Sequence, residues 1–312
     1  MSEFSNLILV SGKAGVELAL FIFLPVMIIM LTVMRLLEAR GALDWVVTKV
    51  SPLFHHFGIP GIGVFALIQV VFVGFAAPVA TLAMMDKGGI SRRHIAATLA
   101  MVLTCAQANV TFPMAAVGLN APMVILVSIV GGLIAASAVY YLFAHELPEQ
   151  EEPVLTPSHP TAEGTKGLLA VINSAGKEAF NISVGAIPML VLALLLVNSL
   201  KEVGFVGALE SILEPLFVWL EIPSTALLAI LSKYIAGGTA MLGVSVDLIN
   251  QGTLSAIDMN RLAGFLIHPM DIVGVAILIT AGSRVASVVR PAIYGALVGI
   301  LFRTLCHYFL PL

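Results

Sequence analysis

Within one apolar stretch the sequence reads Ile267-His268-Pro269-Met270-Asp271, placing two ionisable side chains three residues apart around a proline. Proline has no amide hydrogen, so a helix interrupted here leaves a backbone carbonyl without its donor, while His268 and Asp271 share a face if the helix continues. An ionisable group deep in an apolar segment is costly and normally faces a cavity or a partner. His268 and Asp271 are therefore candidates for holding a polar solute and for exchanging a proton with it.

A second polar stretch, Thr104 to Pro113, contains Gln107, Asn109 and Thr111 and is also closed by a proline. Gln107 takes the place of Asp271 there, so an amide and a carboxylate are expected to meet. Amides and hydroxyls at that depth hydrogen-bond a polar ligand or glue helices to one another. Two glycine-rich stretches supply further candidates: Gln69 with Gly74-Phe75-Ala76-Ala77-Pro78, and Ser232-Lys233-Tyr234 with Gly237-Gly238-Thr239-Ala240. Thr239 joins the expected binding set, and Lys233, among apolar neighbours, is expected to act in gating or as the counter-ion of Asp271.

Other chemistries fit less well. Cys105, His268, Met270 and Asp271 could serve as mixed ligands if the solute were a divalent metal, but Cys105 and Cys306 lack the short spacing of a resident metal site. No metal or cofactor is expected. A hydrolase using His268 and Asp271 is disfavoured by the lack of GxSxG and HExxH motifs, so the chain is not expected to be an enzyme.

The elements that must position these residues follow from composition. Of 312 residues, 59% are hydrophobic and 11% charged, against roughly a quarter charged in soluble domains. Such a chain cannot cover itself with polar surface. Its net charge of −3 and its lack of basic runs exclude nucleic acid as a partner. Windows long enough to span a bilayer fall near 15–34, 60–84, 95–117, 121–143, 180–199, 224–246, 262–281 and 291–310. Residues 145–170, rich in Glu and Pro, form an acidic linker between a first repeat, 1–144, and a second, 171–312.

The repeats share punctuation. Gly41-Ala42-Leu43-Asp44 matches Gly207-Ala208-Leu209-Glu210, and Pro52-Leu53-Phe54 matches Pro215-Leu216-Phe217. Gly74 matches Gly237 and Gly131 matches Gly295, the whole series at offsets of 163 to 166 residues. The positive-inside rule sets orientation. Arg35, Arg40 and Lys49, then Lys87, Arg92 and Arg93, belong inside, whereas 201–221 is acidic and belongs outside. The segment between the two basic stretches must then enter and leave one face, as a re-entrant hairpin turning near Phe57 to Gly61. Three crossings plus a hairpin per half make the second repeat inverted and leave both termini outside. The competing arrangement makes 42–57 and 205–220 surface helices with four crossings per half. The fold class expected is all-α and integral to the membrane, built from two inverted-topology repeats of about three transmembrane helices and a re-entrant hairpin or interrupted helix.

Val73 to Pro78 followed by Thr104 to Pro113, and Ala236 to Ala240 followed by Ile267 to Asp271, resemble the Gate, or nucleoside recognition, family of bacterial membrane proteins. The resemblance implies kinship with concentrative nucleoside transporters, the membrane part of FeoB-type iron transporters and spore maturation proteins. The asparagine-glutamate-phenylalanine pattern of the nucleoside transporters is missing, as is a GxxxxGK[ST] phosphate loop, so uphill movement would draw on an ion gradient. The expectation is a bacterial inner-membrane secondary transporter or permease for a small polar solute, nucleoside-like or other. H+ or Na+ is its coupling ion, the lipid bilayer its setting, and a homo-oligomer is compatible. A divalent-metal permease and a non-transporting scaffold are the alternatives.

Overall fold

A computed structural model describes residues 2–147, 167–219 and 221–310. Among them every regular element is helical. The first half contains α1 (Ser2–Glu17), a π-helical stretch (Leu18–Phe23), α2 (Leu24–Ala39), α3 (Ala42–His55), α4 (Gly61–Phe72), α5 (Pro78–Lys87), α6 (Arg92–Thr104), α7 (Ala108–Ala115), α8 (Ala121–Ala138) and a second π stretch (Val139–Phe143). The second half contains α9 (Leu168–Glu202), α10 (Phe205–Trp219), α11 (Ala226–Ala236), α12 (Gly238–Asn250), α13 (Ala256–Leu266), α14 (Ile272–Ile279), α15 (Ser283–Ser287) and α16 (Val289–Phe309).

Among the described residues five stretches are long and apolar enough to cross a membrane: Phe4–Ala39, Arg92–Ala115, Ala121–Phe143, Leu168–Leu200 and Val289–Phe309. Their burial separates inside from outside. The apolar window of Arg92–Ala115 is 94% buried and that of Phe4–Ala39 only 22%, so α6–α7 is a central strut and the N-terminal helix shows most of its apolar surface to lipid. The N-terminal helix runs antiparallel to α9: Asn198 donates to Ser11 Oγ at 3.1 Å near one end, and Arg35 pairs with Glu178 at 2.9 Å near the other.

Two helix pairs fold back on themselves. α4 packs on α5 and α11 on α12, with arms of 10 to 13 residues. Each arm reaches ~15–20 Å, short of the ~30 Å hydrocarbon core. The windows 60–84 and 224–246 are thus hairpins, apolar all round because protein surrounds them. α13–α14 instead continues past an unwound stretch: α13 packs on α8 and α16, while α14 packs on α5, α11 and α15.

The positions of the turns differ from expectation in one place. The charge pattern predicts the first hairpin's turn near 57–61, but the chain turns between α4 and α5, at residues 73–77. Gly74 there has φ +144°, open to glycine but not to most residues, and Pro78 starts α5 with a preset φ. Residues 57–61 instead join α3 to α4, which makes α3 and α10 separate helices, as in the competing arrangement. Most of the linker expected at 145–170 lies outside the described residues.

The hairpins approach the centre from opposite ends. The open end of α4–α5 lies beside the start of α6, where His94 Nδ1 is 2.8 Å from the Gly58 carbonyl. There Arg284 also donates through its backbone N–H to Asp86 Oδ1 and through its guanidinium to the Asp86 carbonyl, each at 2.9 Å. The open end of α11–α12, where Thr225 donates to the Thr253 carbonyl at 2.8 Å, lies with the α7–α8 turn and the start of α13. Asn260 closes that end, donating to the Gly118 carbonyl at 3.0 Å and accepting from the Asn120 N–H at 2.8 Å.

The central helices touch through glycine. A methyl group at Gly264 of α13 would stand 2.5 Å from the Arg303 carbonyl of α16 and 2.6 Å from the Thr304 nitrogen. Gly264→Ala should force α13 from α16 and cost about 1–3 kcal/mol, as overpacking does. Gly12→Ala, in α1 with no atom within 4 Å of the added carbon, should leave the unfolding midpoint in detergent unchanged or slightly higher.

Candidate functional site

Four interruptions meet at the centre of the bundle: the hairpin tips at Gly74 and Gly237, and the breaks at 105–107 and 267–271. Glycine is needed at both tips. Gly237 has φ +91°, and a carbon added to it would stand 3.5 Å from Asp271 Oδ1; one added to Gly74 would stand 3.1 Å from Asn109 Oδ1. At Gly238 an added carbon would overlap the Gln107 amide. Each tip therefore lies against a polar side chain at the start of a half-helix.

Those half-helix starts are built alike. Gln107 is the N-cap of α7 and Asp271 that of α14, both with extended backbone. Asp271 Oδ1 accepts the Gly274 N–H at 2.7 Å, satisfying one of the orphan donors of a helix start. Its Oδ2 pairs with the fully buried Lys233 ammonium, which also donates to the His268 carbonyl at 2.5 Å.

Between the tips lies a cavity of about 300 Å³. Its polar wall consists of Gln107, Asn109, Thr239 and Asp271, together with tip backbone at Gly74, Gly237 and Gly238. Its apolar wall comes from Phe23, Val73, Phe75, Ile182, Met189, Val273 and Ile277. Asn109 Nδ2 donates to Thr239 Oγ1 at 3.4 Å, linking the first-half break to the second hairpin. Gln107 Nε2 and Asn109 Oδ1 are buried without a partner. Among the described residues Asp271 is the only ionisable side chain on the wall, and both its oxygens are already engaged.

Of the residues singled out in the sequence, Gln107, Asn109, Thr239 and Asp271 line this cavity. Lys233 sits behind Asp271 as its partner. The structure does not bring His268, Thr111 or Gln69 to the wall. His268 spends Nε2 on the Phe265 carbonyl at 2.8 Å and accepts the Met270 N–H on Nδ1 at 3.2 Å, so its ring holds the break in shape. Thr111 donates to the Gln107 carbonyl at 2.9 Å, and Gln69 Oε1 accepts from Thr81 at 2.6 Å across the first hairpin. The mixed set proposed for a metal does not assemble either: no group of three or more His, Cys, Asp or Glu that could hold a metal ion occurs among the described residues.

Arg303 is the participant that residue-by-residue reading passes over. It is fully buried in α16, and its guanidinium donates to the carbonyls of Thr104 and Ile267. Those carbonyls end α6 and α13, the two helices that stop at the centre. The available signal is a lone arginine between Leu301-Phe302 and Thr304-Leu305, inside a window that otherwise reads as an ordinary membrane helix. Phe23 and Met189 give no such signal. The π-helical stretch that ends at Phe23 locally changes the helical register, as π segments often do at functional sites.

The arrangement defines a class: a multi-pass membrane protein whose hairpin tips and broken helices enclose a small polar cavity. Residues 20–131 match the family model described as Gate, nucleoside recognition. The fold is that of concentrative nucleoside transporters. CNTnw in an inward-facing substrate-bound state superposes with a TM-score of 0.66 at 16% identity, over 98% of this chain and 82% of the other. A doubly substituted CNTnw in an outward-facing state gives 0.66 at 15%, over 99% and 83%, and a singly substituted CNTnw in the intermediate 3 state gives 0.65 at 15%, over 98% and 83%. No curated protein sequence matches.

Two predictions follow from the buried charges. Removing one partner of a buried ion pair leaves the other uncompensated, so Asp271→Asn and Lys233→Met should each destabilise by ~3–5 kcal/mol, and the double variant by less than the sum. Denaturant titration in detergent measures this cycle. Arg303→Lys keeps the charge but loses the planar fork that spans two carbonyls. It should cost about 2–3 kcal/mol, the scale of one charged hydrogen bond, by the same titration.

Proposed function

We propose that this protein is a secondary transporter or permease for a small neutral polar solute of the nucleoside or nucleobase kind, residing in the bacterial inner membrane. The observation that carries this reading is the central cavity, lined on one side by Gln107 and Asn109, whose Nε2 and Oδ1 are buried without a partner, and on the other by apolar side chains. A heterocycle bearing an acceptor beside a donor complements that pair, and its faces suit the apolar walls. No unpaired cation stands on the wall, which argues against phosphorylated or other anionic solutes. The likeness of fold to transporters seen in inward-facing and outward-facing states supports movement of the site between two openings.

The repeats are assigned as an inverted pair, 1–144 and 171–312, joined by the linker 145–170. The opposed entry of the two hairpins and the common offset of their glycine tips support this. The end of the bundle holding Arg35, Lys87, Arg92, Arg93 and Arg284 is assigned to the cytoplasm by the positive-inside rule. Alternating access would rock the hairpins about a midplane site, as in transporters built from inverted repeats. A divalent-metal cargo has less support, since His268 spends both ring nitrogens on backbone. H+ or Na+ remains the coupling ion in this reading.

The test is thermal unfolding in detergent with uridine, adenosine, free bases, uridine monophosphate and divalent metals, followed by uptake into proteoliposomes. A nucleoside or base at 100 times its Kd should stabilise by about 2.7 kcal/mol, and the effect should vanish in Gln107→Leu and Asn109→Leu. Equal stabilisation by the monophosphate would contradict the neutral-solute assignment. No response to any solute, with both variants folded, would leave the scaffold role as the better account.

A further inference from the structure

Lys233 lies four residues before the tip of the second hairpin, on α11, and its ammonium is enclosed completely. Both oxygens it meets belong to the break of one other helix: the His268 carbonyl and Asp271 Oδ2. The His268 carbonyl lies in unwound backbone, just beyond the C-terminal end of α13, and Asp271 supplies a full negative charge. Unwound carbonyls and the C-terminal ends of half-helices are what interrupted membrane helices use to coordinate small monovalent cations. Here the position is taken by a cation covalently attached to the neighbouring hairpin.

We propose that the Lys233 ammonium is a tethered cation filling a monovalent-cation position at the α13–α14 break, so that free Na+ does not bind there. The first half supports this by contrast. Val70 stands four residues before the first tip as Lys233 stands before the second, and Gln107 is the N-cap after the first-half break as Asp271 is after the second, so both members of the pair are neutral in that half. Cation and carboxylate occur together or not at all. A tethered cation also links charge to movement, because the hairpin cannot withdraw from the break without leaving Asp271 uncompensated in an apolar interior. The assignment does not depend on which solute the cavity carries.

Thermal unfolding in detergent tests it without any solute, with NaCl, KCl or methylammonium chloride replacing choline chloride at constant ionic strength. The unsubstituted protein and Asp271→Asn should respond alike to the four salts. Lys233→Ala should unfold at a lower temperature in choline and recover saturably with at least one small cation, and Lys233→Ala/Asp271→Asn should not recover. A saturable rise with Na+ in the unsubstituted protein that is lost in Asp271→Asn overturns the proposal, as does folded Lys233→Ala that ignores all three cations. Should Lys233→Ala yield no folded protein in choline, its recovery from membranes solubilised in NaCl or methylammonium becomes the readout. Recovery in either salt supports the tethered cation, and none in both overturns it.

Discussion

A backbone that stops being helical inside an apolar bundle must find hydrogen-bond partners from elsewhere in the protein, because neither lipid nor packed hydrocarbon can supply them. This structure stops four helices there. Arg303 closes two of the ends, reaching the last carbonyls of α6 and α13 from a single guanidinium. Asp271 caps the start of α14, and Lys233 closes the carbonyl left at His268. The ring of His268 takes up one further carbonyl and one N–H of the same break. The polar side chains at the centre are therefore first of all the means by which broken helices persist at that depth.

Once the breaks are satisfied, the cavity follows from close approach. Gly237 and Gly238 let the second hairpin tip lie against Asp271 and Gln107, and Gly74 lets the first lie beside Asn109. Around them, glycine contacts draw α8, α13 and α16 together, with Gly131 and Gly264 both packed on Arg303. The small residues and the buried arginine form one device. Contacts this close bring α16 near enough for one side chain to reach two breaks, and the closed breaks fix where the tips can rest.

The architecture was largely legible because its determinants are local. Proline and glycine punctuation in apolar runs marks the tips and the breaks. Gln107, Asn109, Thr239 and Asp271 were legible as cavity residues for the same reason, each being polar beside a helix breaker. The turn of the first hairpin was misplaced because loop charges report only which end a loop occupies, and both 57–61 and 73–77 are compatible with returning to that end. His268 and Gln69 were over-read because sequence displays a polar group but not whether backbone or a neighbour has already used it. Arg303 was under-read because the carbonyls it serves lie 36 and 199 residues away.

The two halves differ in how they hold their breaks. In the second half a carboxylate and an ammonium neutralise each other and spend their hydrogen-bonding capacity on α14 and the His268 carbonyl. That leaves the second break stiff, with its charges joined to the hairpin. In the first half the N-cap is the neutral amide Gln107, with Asn109 two residues on, and each holds one polar atom buried without a partner. A buried polar group without a partner carries a desolvation cost that an incoming solute can relieve. On the proposed transporter reading, solute recognition falls to the first break, and the second break, through Lys233, ties its charge to the position of its hairpin.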